Sequence, residues 1–243
     1  MSERGNDVSP QVWARAGGAL YLLIFVLAGV AMELQSKLIV SGDAAATAAH
    51  IMASPVQWRI SMAAELTMFG CDIPLAVIFY VLLRPVNANL SLLAAFWRFA
   101  EAVMASLAAT IHMAPLFLFS GASYLKAFDA AQLQALAYVS LRLYDYGFGV
   151  ALIPFGLHCI LLGYLIYRST YFPKTFGVLM ALAGLAYVAN TLALTLAPSV
   201  TSATFIAMLI TGVPAELGFT IWLLVFGVNV QRWNSVILRR SLS

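Results

Sequence analysis

Six apolar stretches, each long enough to cross a bilayer as a helix, fill most of this 243-residue chain. About 20 residues of helix span the hydrocarbon core. Backbone polar groups in lipid must find partners within their own segment, so such stretches fold as helices. Composition agrees. The chain is 63% hydrophobic and 9% charged, whereas a soluble domain is about 25% charged. There is too little polar surface to clothe a water-facing exterior. The expected fold is all-α: a polytopic helical membrane bundle with six transmembrane helices and two short outer-face helices. The spans fall at about 16–34, 60–83, 90–119, 146–167, 176–196 and 203–230. A cytoplasmic N-terminal tail (1–15) precedes them and a cytoplasmic basic tail (231–243) follows. Gly17 to Met32 has the look of a signal peptide, but we read it as a retained span.

The short helices have local signals. Gly42-Asp43 starts an alanine-rich helix with Asp43 as its N-cap, and Pro55 marks its end. Asp129 opens a second, in which Leu133, Leu136 and Leu143 follow a helical period. Arg84-Pro85-Val86-Asn87 forms a turn after the second span. Orientation follows from the cations. With both termini in the cytoplasm, the inner side holds Arg4, Arg15, Arg84, Arg168, Lys174, Arg232, Arg239 and Arg240. The outer side holds Lys37, Arg59, Lys126 and Arg142. This asymmetry satisfies the positive-inside rule.

The chemistry lies in ionisable residues inside the spans. Glu65 and Asp72 fall in the second, Arg98, Glu101 and His112 in the third, His158 in the fourth and Glu216 in the sixth. A charge at the centre of a membrane helix costs roughly 2.5–3.5 kcal/mol on insertion scales, so each needs a partner, water or a task. Helix rise places Asp72, Glu101, His158 and Glu216 roughly 18–27 Å from the outer end of their spans. Glu65, His112 and Asn190 are shallower, and Glu33 and Asp145 lie at the outer rim. Arg98, Glu101, Ala105, Ala108 and His112 step by three and four, so they share one helix face. Pro74, Pro115, Pro154 and Pro214 interrupt spans near these residues, and broken helices often line substrate cavities.

Three readings follow. The polar residues can be structural glue, with Arg98 and Glu101 paired at i,i+3. They can form a mid-membrane site for a small molecule, ion or proton, reached from the outer face. Asp72, Glu101, His158 and Glu216 would then be its floor, with Arg98 neutralising Glu101 or meeting an anionic ligand. Glu65 and His112 would line the approach and Asp145 the mouth. Third, His112 or His158 can serve a zinc or haem enzyme, although no metal-binding spacing such as His-Glu-x-x-His is present. Cofactor and oligomeric state are not legible. The partner called for is the lipid bilayer, with a small-molecule or ion ligand. Nucleic acid is set aside, because no exposed patch interleaves basic and aromatic residues. Cys71 and Cys159 read as packing residues inside spans. A weak echo relates Phe69-Gly70-Cys71-Asp72 to Phe155-Gly156-Leu157-His158.

Several longer blocks resemble a bacterial membrane family, domain of unknown function 4386. They are Ser36-Lys37-Leu38-Ile39-Val40 with Gly42-Asp43-Ala44-Ala45-Ala46-Thr47-Ala48, Tyr80-Val81-Leu82-Leu83-Arg84-Pro85-Val86-Asn87 and Phe128-Asp129-Ala130-Ala131-Gln132-Leu133. Asp145-Tyr146-Gly147 and Gly156-Leu157-His158-Cys159 complete them. The likeness covers about Trp13 to Trp233. It implies a polytopic membrane protein and supplies no activity, substrate or cofactor.

Overall fold

The computed structural model of the protein describes residues 9–241. Arg4 and the rest of the first eight residues lie outside the described residues, as do the side chains of Arg239 and Arg240. The helices are α1 (Pro10–Ser36), α2 (Ala44–Ala53), α3 (Pro55–Leu83), α4 (Ala88–Ile111), α5 (Ala114–Leu118), α6 (Ala130–Arg168), α7 (Lys174–Leu196), α8 (Thr201–Val225) and α9 (Val230–Ser241). Six of the helical segments are long and apolar enough to cross a membrane. Large apolar side chains such as Phe96, Leu107, Ile210 and Val225 stand exposed along them, as lipid contact requires.

Two local results differ from the sequence reading. The helix opened by Asp129 does not stop before the fourth span; it continues as the 39-residue α6. No proline falls between Ala130 and Tyr146 to stop it. At 1.5 Å per residue α6 is about 58 Å long, well beyond the hydrocarbon thickness. Its start carries a capping box: Gln132 N–H donates to Asp129 Oδ1 (2.8 Å), and Asp129 N–H donates to Gln132 Oε1 (3.0 Å). The third span, by contrast, is broken. α4 ends at Ile111 and α5 begins at Ala114, because Pro115 has no N–H for the carbonyl four residues back. The chain tightens instead, His112 N–H bonding to Ala109 and Met113 N–H to Thr110.

The chain divides into two compact units. The first takes the residues up to Leu22, Asp72–Glu101 and everything from Leu152 on. Close backbone packing holds it together. A Cβ added at Gly163 would lie 2.5 Å from the Gly177 carbonyl oxygen, and one at Gly184 would lie 2.5 Å from that of Gly156. α6 and α7 thus meet at two glycine pairs seven residues apart, where small residues let backbones touch. On α1, Gly18 abuts Leu223 and Leu224, and Gly17 abuts Ile78. Gln11 Nε2 donates to Phe226 O (3.1 Å) while its Oε1 accepts from Val228 N–H (2.9 Å). Thr204 donates to Asn190 (3.0 Å) between α8 and α7.

The second unit takes Leu23–Cys71 and Ala102–Ala151. One apolar group joins Leu38, Ile51, Trp58, Met62 and Leu141. Another joins Phe69, Ala105, Ala108, Ala109, Tyr144 and Ala151. Asp43 caps α2 by accepting from Ala46 N–H (2.9 Å). Gly42 N–H donates to the Tyr138 hydroxyl (2.7 Å), fastening the loop before α2 to α6. The echo between the Phe-Gly blocks has no packing counterpart: Gly156 touches α7, whereas nothing lies within 4 Å of a Cβ at Gly70.

Candidate functional site

The shared face on α4 is buried. Arg98, Glu101, Ala105, Ala108 and His112 are all nearly inaccessible, while Phe99, Val103 and Leu107 between them are exposed. Lipid would penalise the first set and accept the second.

In the first unit Arg98 is the hub. Its Nη2 donates to Asp72 Oδ1 on α3 in a close ion pair. Its Nη1 lies 3.3 Å from His158 Nε2 on α6. His158 Nδ1 lies 2.8 Å from the carbonyl oxygen of Ala94. A carbonyl only accepts, so Nδ1 carries the proton. Nε2 is then the lone-pair nitrogen that accepts from Arg98, and both contacts are met by neutral imidazole. Three rings surround the guanidinium carbon: Tyr21 at 5.0 Å, Phe155 at 5.4 Å and Phe79 at 5.9 Å from their centroids. Cation–π contact of this kind strengthens when the cation is desolvated. The sequence reading offered Glu101 as the partner of Arg98. The carboxylate that pairs with it is Asp72, because i,i+3 spacing brings Glu101 onto the same face without bringing its oxygens within ion-pair range.

Glu216 on α8 is held by two phenols. Tyr21 hydroxyl donates to its Oε2 (2.6 Å) and Tyr187 hydroxyl to its Oε1 (2.5 Å). Gly212, one turn before Glu216, makes this possible: a Cβ there would lie 2.6 Å from the Tyr187 hydroxyl oxygen. Glu101 differs. It is 4% exposed, and among the described residues its Oε2 has no hydrogen-bond partner. One turn away, Arg98 Nε is also buried and unpartnered. An acceptor and a donor are therefore left over on one face of α4.

In the second unit, Glu65 on α3 meets His112 Nδ1 (3.0 Å) through Oε2. Its Oε1 accepts from the Tyr144 hydroxyl (2.8 Å) on α6. The His112 and Tyr144 rings stack with centroids 3.5 Å apart. The break before α5 has a use here: the His112 carbonyl, freed from helix bonding, accepts from Trp58 Nε1 (3.0 Å). Asp145 is exposed and pairs with Arg142 (3.0 Å), as Glu33 pairs with Lys37 (2.9 Å). A cleft of about 370 Å³ is lined by Met52, Leu118, Phe119, Leu125, Phe128 and Leu133 among others, and none of the ionisable span residues lines it.

Arg98 thus contacts both Asp72 and His158, Glu216 is tied to α1 and α7, and Glu65 and His112 form a pair in the second unit. Sequence reasoning did not find Tyr21, Tyr187, Tyr144 and Trp58. The available signal was that a phenol or indole inside a span needs a hydrogen-bond partner. Among the described residues, no three His, Cys, Asp or Glu side chains gather as metal ligands would.

These features define a multi-pass α-helical membrane protein with charged and aromatic side chains packed among its helices. The chain belongs to the family described as Domain of unknown function (DUF4386), whose model matches residues 16–227. A protein of Archaeoglobus fulgidus, described as uncharacterized, is 34% identical over 121 residues. That alignment takes in 50% of this chain and 59% of the relative's own length. No solved structure matches.

Proposed function

We propose that the protein exchanges protons, or a small solute able to both donate and accept hydrogen bonds, at Glu101. The observation that carries this is the buried, unpartnered Glu101 Oε2. An orphaned buried acceptor costs about 1–3 kcal/mol, a cost that persists where it has a task. The neighbouring acids are already engaged. Asp72 is committed to Arg98, and both oxygens of Glu216 accept from phenols. Glu101 is the carboxylate of this unit with capacity to spare, and Arg98 Nε supplies a matching donor. Asp72, Arg98, His158 and Glu216 position it; Glu65 and His112 satisfy each other and are not part of this proposal. In this reading the setting is the cytoplasmic membrane of a bacterium, on the strength of the family resemblance, with both termini in the cytoplasm, on the strength of the basic-residue asymmetry.

Two rival readings fare differently. A metal or haem enzyme at His158 gains no support from the donor geometry, since both its ring nitrogens are engaged, and His112 is tied to Glu65 through Nδ1. Purely structural packing accounts for Asp72, Glu65 and Glu216 but leaves Glu101 without a partner. The test is proton flux into proteoliposomes loaded with a pH-sensitive dye, driven by a potassium diffusion potential. Wild type should acidify the lumen faster than protein-free vesicles. Glu101→Gln should reduce the rate to that of empty vesicles while keeping the wild-type unfolding temperature. Equal rates for wild type and E101Q would sink the proposal.

A further inference from the structure

The cleft of about 370 Å³ in the second unit lies where the third span ends, since Leu118, the last residue of that span, is on its wall. Its shape comes from hydrogen-bonded turns. Gly121, at φ 73°, takes a left-handed turn that residues with a Cβ rarely adopt. A short 3-10 segment, Ser123–Ala127, follows. Leu125 N–H bonds to Ala122 O and Phe128 N–H to Leu125 O (both 3.0 Å). The Leu125 side chain is buried and pins the segment. The capping box at Asp129 then sets the start of α6. The cleft is therefore built into the backbone, as most ligand pockets are.

Its wall is apolar. Met52 comes from α2, Leu118 from α5, Leu125 from the 3-10 segment and Leu133 from α6. Lys126 and Gln134 are the polar side chains among its lining. Met52 and Phe128 are 50% and 45% exposed, so the wall opens outward. A lysine stem lies along an apolar surface while its ammonium stays at the wet edge. Tyr124, two residues before Lys126, is 69% exposed, and tyrosine is enriched where membrane meets water. The second unit is described in full. Its acids have other tasks. Glu33, Glu65 and Asp145 pair with Lys37, His112 and Arg142, while Asp43 and Asp129 cap helices. Among the described residues Lys126 forms no ion pair.

We propose that this cleft binds a free long-chain fatty acid from the bilayer, with its acyl chain on the apolar wall and its carboxylate at Lys126 and Gln134. The volume is near the lower end of the roughly 300–1,000 Å³ of ligand pockets, which suits one chain rather than the two of a phospholipid. The cation at the edge selects an anionic head, and the position at the end of a span lets that head stay hydrated.

The test places the full chain in phosphatidylcholine nanodiscs with a palmitic acid that carries a diazirine. After irradiation, labelled peptides are mapped by mass spectrometry. Label should concentrate within residues 118–134, above that on the lipid-facing stretch bearing Phe96 and Phe99. Unlabelled palmitate should compete for this label, and hexadecanol, which has the same chain without the charge, should compete more weakly. Lys126→Gln should lower the label by about two- to fivefold, the range of an exposed ion pair. Leu133→Trp, which fills the cleft, should abolish it, with the unfolding temperature reporting whether that variant still folds. Even labelling of all lipid-facing helices overturns the proposal, as does unchanged cleft label in Lys126→Gln. Equal competition by hexadecanol overturns the carboxylate contact, and equal competition by added phosphatidylglycerol overturns the assignment to a free fatty acid.

Discussion

At the residue scale, Arg98 illustrates how a full charge persists among membrane helices. It has a carboxylate on one side, a neutral imidazole on another and aromatic faces around it. Removing one member of a buried pair strands the other, at a cost of about 3–5 kcal/mol. Replacing both by apolar groups avoids that cost. We therefore expect Arg98→Leu alone to lower unfolding stability in detergent by about that amount. Arg98→Leu/Asp72→Leu should recover most of the loss, which a double-mutant cycle of denaturant unfolding would measure. Additive losses would mean that the pair does not act as a unit. The surface pairs Lys37–Glu33 and Arg142–Asp145 are exposed and worth only about 0–1 kcal/mol each. Partner choice at this scale was hidden in the sequence. Spacing placed Arg98 and Glu101 on one face, but which side chain across the helix interface answers Arg98 depends on the packing of α3 against α4. The phenols on Glu216 come from α1 and α7, far away in the chain, and no local pattern announces them.

At the element scale, glycine decides how closely α6 and α7 approach. At Gly163 an added Cβ meets backbone at 2.5 Å, and backbone cannot rotate aside as a flexible side chain can. Overpacking ordinarily costs about 1–3 kcal/mol. Gly163→Val should therefore lower the unfolding temperature by several degrees at the least. Gly29→Ala, where nothing lies within 4 Å, should leave it close to wild type. Thermal unfolding of the two in the same detergent would settle the contrast, and matching temperatures would contradict the close approach. The caps at Asp43 and Asp129 were legible in sequence because the accepting side chain and the donating backbone N–H are three residues apart. The fusion that makes α6 was not. The polar residues around Arg142 and Asp145 read as a boundary between an outer helix and a span, yet the helix runs through them unbroken. The break at Pro115 is the converse case. Hydropathy runs through it unchanged, and only the missing proline N–H interrupts the ladder.

For the whole molecule, six apolar helices with exposed Phe, Leu, Ile and Val side chains leave no water-compatible exterior. The protein should stay in the membrane pellet through an alkaline carbonate wash and leave it only with detergent. Appearance in the aqueous supernatant would contradict the bilayer assignment. This level was the most legible, since length and hydropathy of a span follow from bilayer thickness alone. The division into two units was hidden, because it follows from contacts between segments remote in sequence.

The grip of Gln11 on Phe226 and Val228 joins residues 215 or more apart in the chain. Translation therefore imposes a schedule on folding. The second unit has its whole sequence once Ala151 leaves the ribosome. The first must hold its opening helix in waiting until Phe226 and Val228 have been made.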